Sequence, residues 1–137
     1  MRKIVKRSDC PISYSLDLLG DKWTILILRD IALGDKHFYK DFFEAGEGIA
    51  TNVLADRLRM LEEVGIIQSK PYEKKKNMKY YSMTKKGTEL IPMMIELWVW
   101  GAKHDPESSV SEKTLDERLL NREEIIAHYK AKSIGEE

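Results

Sequence analysis

Apolar residues recur along most of the chain at the three- and four-residue spacing of amphipathic helices, and glycines separate the runs. Cys10 and Pro11 suit the N-cap and the first turn of a helix that stops at Gly20. Asp21 is placed to cap the following segment, KWTILILRDIAL, whose apolar side chains cover most of its circumference. This second helix is therefore predicted to lie buried at the centre of the domain.

The clearest amphipathic pattern is in residues 49–65, IATNVLADRLRMLEEVG, which follow a short aromatic helix predicted at residues 39–45. Leucines at i, i+4 and i+7 form its inner face. At about 100° per residue, the opposite face carries Asn52, Asp56 and Arg59. A turn that contains two glycines joins the helices, and this arrangement is typical of a helix-turn-helix.

The pattern changes to alternation after Gly65. Residues 66–72 are predicted to form a strand, at a sheet edge because it contains Pro71. Residues 79–84 are predicted to be its partner, and the turn between them is the lysine-rich EKKKN.

The remainder of the chain is again helical in pattern. Thr84 is predicted to cap a helix that runs to Gly101 and bends at Pro92. After a polar linker, a capping box formed by Thr114 and Glu117 begins a final helix over residues 115–131.

The order of elements predicts a mainly α protein with a small β-hairpin, which is a winged helix-turn-helix domain with helical dimerisation elements. The winged domain is assigned to residues 1–103. Residues 104–137 are assigned to a linker and a C-terminal helical extension.

Composition narrows the functional classes. With 137 residues, 42% of them apolar, the chain suits one domain with a modest core. No run approaches the roughly 18 apolar residues of a membrane span. The basic N-terminus (Arg2, Lys3, Lys6 and Arg7) lacks the apolar stretch of a signal peptide. A cytoplasmic protein with no membrane partner is expected.

Candidate chemistry is sparse. One cysteine excludes an internal disulfide, and the three histidines have no metal-ligand spacing. No acid, base and nucleophile pattern and no glycine-rich phosphate loop occurs. We therefore expect no metal, no cofactor and no enzymatic activity.

Charge is balanced overall, with 23 basic and 23 acidic side chains, but it is uneven along the chain. The predicted hairpin concentrates lysines, which suit contacts with DNA phosphates. The alternative is a hairpin kept soluble by charge. The lysines proposed to bind DNA are Lys74, Lys75, Lys76 and Lys79.

The outer face of the predicted second helix of the helix-turn-helix supplies the other DNA candidates. Thr51 suits a phosphate, Asn52 can pair with adenine, and Arg59 can bond guanine or phosphate. Asp56 could accept from cytosine or brace Arg59 or Arg57, and Arg57 is a further DNA-binding candidate. The alternative is an ordinary amphipathic surface helix.

Over roughly residues 10–101 the chain resembles the HxlR-type helix-turn-helix transcriptional regulators, winged-helix relatives of the MarR group. The resemblance rests on CP at 10–11, LDLLGDKWTILILRD from 16, GI at 48–49, L-x-x-RL-x-x-LEE-x-G-I from 54, Y-S-M-T-x-x-G from 81, and L-x-P and W-G at 90–92 and 100–101.

Three departures from the family pattern are visible. The tail over residues 103–137 is longer than that pattern and is not covered by the resemblance. The stretch at residues 38–42 looks one residue longer, which affects where the third helix starts. Ala50 stands where the family has a serine or threonine cap, so Thr51 is an alternative cap.

The resemblance implies a homodimer formed by the N-terminal segment and the last helix of the domain. An apolar stripe in the extension is predicted to add to it. The implied interface residues are Ile12, Leu16, Ile95, Leu97, Trp98 and Val99, extended by Leu119 and Ile126.

Cys10 has two interpretations. A helix N-terminus and neighbouring Arg7 favour a reactive thiolate, and some similar regulators use such a cysteine to sense oxidants or electrophiles. Cys10 can equally be a small residue that packs in the dimer.

These features predict a homodimeric, sequence-specific transcriptional regulator, most simply a repressor, that binds double-stranded DNA at a two-fold operator. An effector is expected to be a thiol-reactive oxidant or an unknown small molecule. The alternative is a winged helix that binds proteins without specific DNA recognition.

Overall fold

The structure is a computed structural model that describes residues 6–135, so Arg2 and Lys3 of the predicted basic N-terminus lie outside the described residues. Within that range the chain folds into helices and one antiparallel hairpin. The elements are α1 (Pro11–Leu19), α2 (Lys22–Ala32), α3 (Tyr39–Phe43), α4 (Thr51–Glu63), β1 (Ile67–Tyr72), β2 (Lys75–Met83), α5 (Lys85–Thr88), α6 (Ile91–His104), α7 (Glu112–Leu120) and α8 (Arg122–Ser133).

The first two helices begin where the sequence predicts. Cys10 is the N-cap residue of α1 and Pro11 is its first residue. Asp21 caps α2, and its carboxylate accepts a hydrogen bond of 3.0 Å from the backbone N–H of Thr24. Because Leu28 is fully buried and α2 contacts α4, β2 and α8, α2 is the centre of the core as predicted.

The hairpin is longer and its turn is tighter than predicted. The turn comprises only Glu73 and Lys74, so Lys75 and Lys76 belong to β2. The register shifts after Pro71, whose missing N–H cannot join the ladder. The predicted five-residue turn EKKKN is therefore wrong, and two of its lysines lie on a strand.

The predicted bent helix over residues 84–101 is two helices. Thr84 caps the short α5, where its hydroxyl accepts from the N–H of Gly87 at 3.0 Å. Pro92 lies in the first turn of α6, where no intrahelical partner is needed for its nitrogen. The proline therefore helps a new helix to begin and bends nothing.

The single final helix predicted over residues 115–131 is also wrong. Ser111, and not Thr114, caps α7, because the Ser111 hydroxyl accepts from the N–H of Thr114 at 3.1 Å. Asn121 has non-helical dihedral angles and donates from its side chain to the carbonyl of Glu117 at 2.9 Å. That local hydrogen bond ends α7, and α8 then turns back.

The C-terminal extension packs on the winged domain. Helix α8 contacts α2 and α6, and Ile134 forms a parallel bridge with Met83 at the end of β2. Across residues 6–135, the helices are all too short or too polar to cross a membrane.

Candidate nucleic-acid interface

A cap bond at the start of α3, two glycines and one ion pair shape α3 and the turn that joins it to α4. Asp41 in α3 accepts from the backbone N–H of Phe38 at 3.2 Å. Gly46 and Gly48 both have positive φ, a conformation that glycine adopts without strain. Glu47 lies between them, with its carboxylate 3.6 Å from the guanidinium of Arg29 on α2. The turn is thereby tied to the central helix.

The N-terminus of α4 has no side-chain cap in the described structure. Ala50 is the N-cap residue and Thr51 is the first helical residue, so Thr51 does not take over capping. Its carbonyl accepts instead from the hydroxyl of Tyr39 at 3.2 Å. The first-turn amides and the positive end of the helix dipole suit a phosphate, which keeps Thr51 as a phosphate candidate.

The inner face of α4 matches the predicted leucine pattern. Leu54, Leu58 and Leu61 are almost completely buried, and α4 packs on α2 and β1. This packing leaves the polar side of α4 towards solvent, with Thr51, Asn52 and Arg59 exposed.

A cluster of charged residues locks α4 to the start of α2. The guanidinium of Arg57 lies 3.0 Å from the carboxylate of Asp21 and 2.5 Å from that of Asp56. Asp56 therefore braces Arg57, one of the three options left open by the sequence. Because both side chains are partly buried and engaged within the chain, they are weaker DNA candidates than Asn52 and Arg59.

We expect Asp21→Ala to lower the free energy of unfolding by about 2 kcal/mol, since it removes a helix cap and a partly buried ion-pair partner. Asp21→Asn is the matched control, because it keeps a cap and loses the charge, and it should cost clearly less. Urea denaturation measures both. A loss below about 0.5 kcal/mol for Asp21→Ala would show that the cluster does not anchor α4.

The hairpin presents exposed lysines beside α4. Lys74, Lys75, Lys76 and Lys79 are all exposed. Lys79 of β2 and Arg59 of α4 border the same cleft of about 430 Å³ between helix and hairpin. One basic residue of each element therefore borders a shared cleft, which Glu62 and Glu63 of α4 also line.

Aromatic packing fixes the base of the hairpin. His37 stacks on Tyr80 with ring centroids 4.4 Å apart, and Phe38 meets Tyr72 edge-on at 4.9 Å. Tyr81 is buried, and burial raises the pKa of its phenol, as it does for Tyr80. Tyr80 and Tyr81 therefore pack as neutral rings. The ring contacts that His37 and Phe38 make with the hairpin were not predicted from the sequence.

The predicted dimer residues fall into three groups according to their burial. Ile12, Leu16 and Leu97 are exposed, whereas Ile95 and Val99 are buried in the core of their own chain. The remaining predicted residues, Trp98, Leu119 and Ile126, are half-buried against that core. Only the exposed group is free to meet a second subunit through most of its surface.

The predicted dimer interface leaves out one exposed aromatic residue on α6. Trp100 is 67% exposed and follows Leu97 by three residues, so both lie on one helix face. They border a groove of about 600 Å³ whose other wall includes Leu119. The i, i+3 spacing of Leu97 and Trp100 was the available signal.

Cys10 is exposed and free. Arg7 is paired with Asp17, with its Nε 2.8 Å from the Asp17 carboxylate. The guanidinium expected beside the thiol is therefore engaged elsewhere. Among the described residues no group of three or more His, Cys, Asp or Glu side chains is placed to hold a metal ion.

A buried central helix, a helix–turn–helix pair and an adjoining basic hairpin define the class of winged helix-turn-helix proteins. Within that class the chain belongs to the HxlR-like helix-turn-helix family, whose profile matches residues 18–109. The family resemblance stated from the sequence is thereby confirmed.

The relatives of the chain are named as transcriptional regulators. It is 34% identical over 95 residues to an uncharacterized HTH-type transcriptional regulator of Mycobacterium bovis, covering 69% of this chain and 59% of the relative. It is 37% identical over 93 residues to one of Synechocystis, covering 68% of each. The chain thus spans less than two thirds of the mycobacterial protein.

Solved structures share the fold. PA1607, described as a candidate transcription factor, superimposes with a TM-score of 0.68 at 34% identity, covering 77% of this chain and 74% of the other. The redox regulator HypR in its oxidized form superimposes with a TM-score of 0.62 at 27% identity, covering 69% of this chain and 97% of HypR. The reduced form of YodB from Bacillus subtilis superimposes with a TM-score of 0.56 at 28% identity, covering 74% of this chain and 100% of YodB.

Proposed function

We propose that the protein is a DNA-binding transcriptional regulator, and that it acts as a homodimeric, sequence-specific repressor. The observation that carries this proposal is the placement of exposed Asn52 and Arg59 on α4 beside the exposed lysines of the hairpin. Amide and guanidinium groups can read base edges in the major groove, while lysines bind the phosphates alongside. Relatives named as transcriptional regulators support the same function.

The proposed partner is double-stranded DNA with two half-sites. One winged helix covers a small footprint, and a two-fold dimer places two α4 helices in grooves about 34 Å apart. A dimer bound across a promoter blocks access to it, which is the basis for proposing repression.

A gel shift tests the function directly. The probe is the DNA upstream of the gene that encodes this chain, and the competitor is random DNA of equal length. We expect a retarded complex that resists excess random competitor, and footprinting should show two protected half-sites. Equal competition by random DNA would exclude sequence-specific regulation at that promoter and favour a protein-binding role.

The proposed dimer interface uses the exposed apolar residues of α1 and α6. Leu97→Ala should raise the dimer dissociation constant roughly 30-fold to 900-fold, because each of the two subunits loses roughly 1–2 kcal/mol of apolar burial. Sedimentation equilibrium measures this. The control is Leu120→Ala, since Leu120 is the most exposed leucine described and lies outside the proposed interface. Equal dimer dissociation constants for the two variants would show that Leu97 does not lie in the dimer interface.

Cys10 is proposed as the site at which oxidants regulate binding. The support is its exposure at the start of α1, beside Ile12 of the proposed dimer interface, and the likeness to the redox regulator HypR. Diamide would oxidise two Cys10 thiols, one from each subunit, to a disulfide and would itself be reduced to the hydrazine. The crosslink would change the spacing of the two α4 helices and so the half-site register.

We therefore expect diamide to weaken operator binding by the wild type at least about tenfold, and to leave Cys10→Ser unaffected. Binding is measured by gel shift, and a non-reducing gel reports the crosslinked dimer. Dithiothreitol should restore binding. If the crosslinked wild-type protein keeps its affinity for the operator, Cys10 does not regulate binding, and its role is to pack in the dimer.

A further inference from the structure

The last described residues of the chain lie along the outer edge of the hairpin. In this stretch, residues 132–135, called here the strap, the N–H of Gly135 donates to the carbonyl of Met83 at 2.9 Å. Ile134 forms the accompanying parallel bridge to Met83. The strap thus occupies the edge of β2 that does not face β1, as a short third strand would.

Gly135 fits this position because it has no side chain. A Cβ atom there would overlap the hydroxyl of Ser82 and the side-chain amide of Gln68. Ser82 is buried, so it has little room to move away. The backbone of the strap therefore approaches the hairpin more closely than any larger residue would permit.

A second set of contacts holds the other end of the strap. Lys132 lies 3.7 Å from the carboxylate of Asp35, which is 2.8 Å from Nε2 of His37. His37 reaches β2 twice, since its Nδ1 lies 2.7 Å from the carbonyl of Tyr81 and its own carbonyl accepts from the N–H of Tyr81 at 2.8 Å. The strap and residues 35–37 together contact the outer edge of β2 at Tyr81 and Met83, at the end of the strand.

These contacts connect the hairpin to the body of the domain. Ser133 is buried and is the last residue of α8, where its hydroxyl donates to the carbonyl of Tyr129, so the strap continues directly from α8. Helix α8 itself packs on α2 and α6. A two-stranded hairpin alone is only marginally stable, so a third strand tied to the core restricts how the hairpin moves. The family profile ends at residue 109 and does not include the strap.

We propose that the strap is a positioning element for the wing: it holds the basic hairpin at a fixed angle to α4 so that both reach DNA together. This inference rests on the proposed DNA-binding function. Without the strap, the hairpin keeps its lysines but samples more orientations, so fewer lysines reach phosphates at one time. The strap therefore acts on DNA affinity without touching DNA.

Two shortened chains of equal side-chain charge test the proposal. One ends after Ser133 and lacks the strap bridge, and the other ends after Gly135 and keeps it. They differ only by the uncharged Ile134 and Gly135. Gly135→Val in the full chain is the second variant, because it blocks docking without shortening the chain.

The first measurement is amide hydrogen exchange without DNA. The N–H of Tyr81, on the same edge of β2, should exchange at least about tenfold faster in the chain ending after Ser133 and in Gly135→Val. The N–H of Leu54 in α4 should keep its protection, which shows that the domain remains folded. Unchanged protection of Tyr81 would overturn the proposal.

The second measurement is DNA affinity as a function of salt. The chain ending after Ser133 should bind about tenfold more weakly than the chain ending after Gly135, with a smaller salt slope. Gly135→Val should show the same differences from the full wild-type chain, which has the same side-chain charge. In a background with Lys74, Lys75 and Lys76 replaced by alanine, removing the strap should have little further effect. Unchanged affinity, or an equal loss in that background, would refute positioning of the wing. If the chain ending after Gly135 also fails to bind DNA, the proposed function itself is wrong, and the strap proposal falls with it.

Discussion

Replacement of Lys74, Lys75 and Lys76 by alanine is expected to flatten the dependence of DNA affinity on salt by up to roughly 2–3 units of log–log slope per subunit. All three lysines are exposed, on or next to the tight turn of the hairpin. Each lysine that meets a phosphate releases condensed counterions, so removing one such lysine reduces the slope by about 0.9. For a dimer, the change in DNA affinity between low and moderate salt is then smaller than that of the wild type by about three orders of magnitude.

The loss of affinity should be similar on operator and on random DNA, because phosphates carry no sequence information. Fluorescence anisotropy at several salt concentrations gives the slope for each DNA. Lys75→Ala and Lys113→Ala form a matched pair, since both remove one exposed lysine and Lys113 lies on α7. Equal slopes for these two variants would remove the hairpin from the DNA-binding surface.

The sequence predicted the parts of the fold whose cause is local. Asp21 can cap α2 whatever surrounds it, and the leucine spacing of α4 fixes which side of that helix is buried. The helix–turn–helix and the following hairpin could therefore be placed, together with the exposed positions Asn52 and Arg59. The family pattern added the order of elements to these local signals.

The errors arise where two local signals compete. Pro92 can bend a helix or begin one, and α5 ends early enough for it to begin α6. Asn121 looks neutral within a helical pattern, but its side chain bonds the carbonyl of Glu117 and ends α7. The lysine-rich segment looked like a loop, although antiparallel pairing with β1 extends through Lys75.

Contacts between distant residues were not predictable from any local pattern. The pairing of Asp21 with Arg57 joins residues 36 positions apart, and the bond from Gly135 to Met83 joins the C-terminal extension to the hairpin. The first contact changes the set of DNA candidates, because it draws Arg57 and Asp56 towards α2. The second gives a structural role to the extension, which the sequence assigned only to dimerisation.

Asn52 and Arg59, the two α4 candidates for base contacts, differ from Arg57 in a way that matters for recognition. A side chain that reads bases must exchange its hydrogen bonds with water for hydrogen bonds with a base edge. A side chain held in an internal ion pair must first break that pair, which makes base contact less favourable. Asn52 and Arg59 are exposed, and Asn52 lies in the first turn of α4, where recognition helices make base contacts. Sequence information is therefore expected to reside in these two side chains.

Asn52→Ala should cost about 1–3 kcal/mol per subunit in binding to the operator and far less on random DNA, since a bidentate amide–adenine pair is removed only at the operator. Arg59→Ala should cause a similar loss of operator affinity if Arg59 contacts guanine. Arg59→Lys separates the two roles of this arginine. A lysine keeps the charge for a phosphate but cannot reproduce the two-pronged contact with guanine.

Affinities of each variant for operator and random DNA, measured at one salt concentration, decide the assignment. Glu63→Ala is the control on the same helix, because Glu63 is exposed but lies at the C-terminal end of α4. Circular dichroism should show unchanged helix content, as these positions are at the surface. If Arg59→Lys binds as the wild type while Arg59→Ala loses affinity equally on both DNAs, Arg59 contacts the backbone, and specificity must then rest on Asn52. Equal losses of affinity for Asn52→Ala on both DNAs as well would leave α4 without a base-reading residue and contradict sequence-specific recognition by this helix.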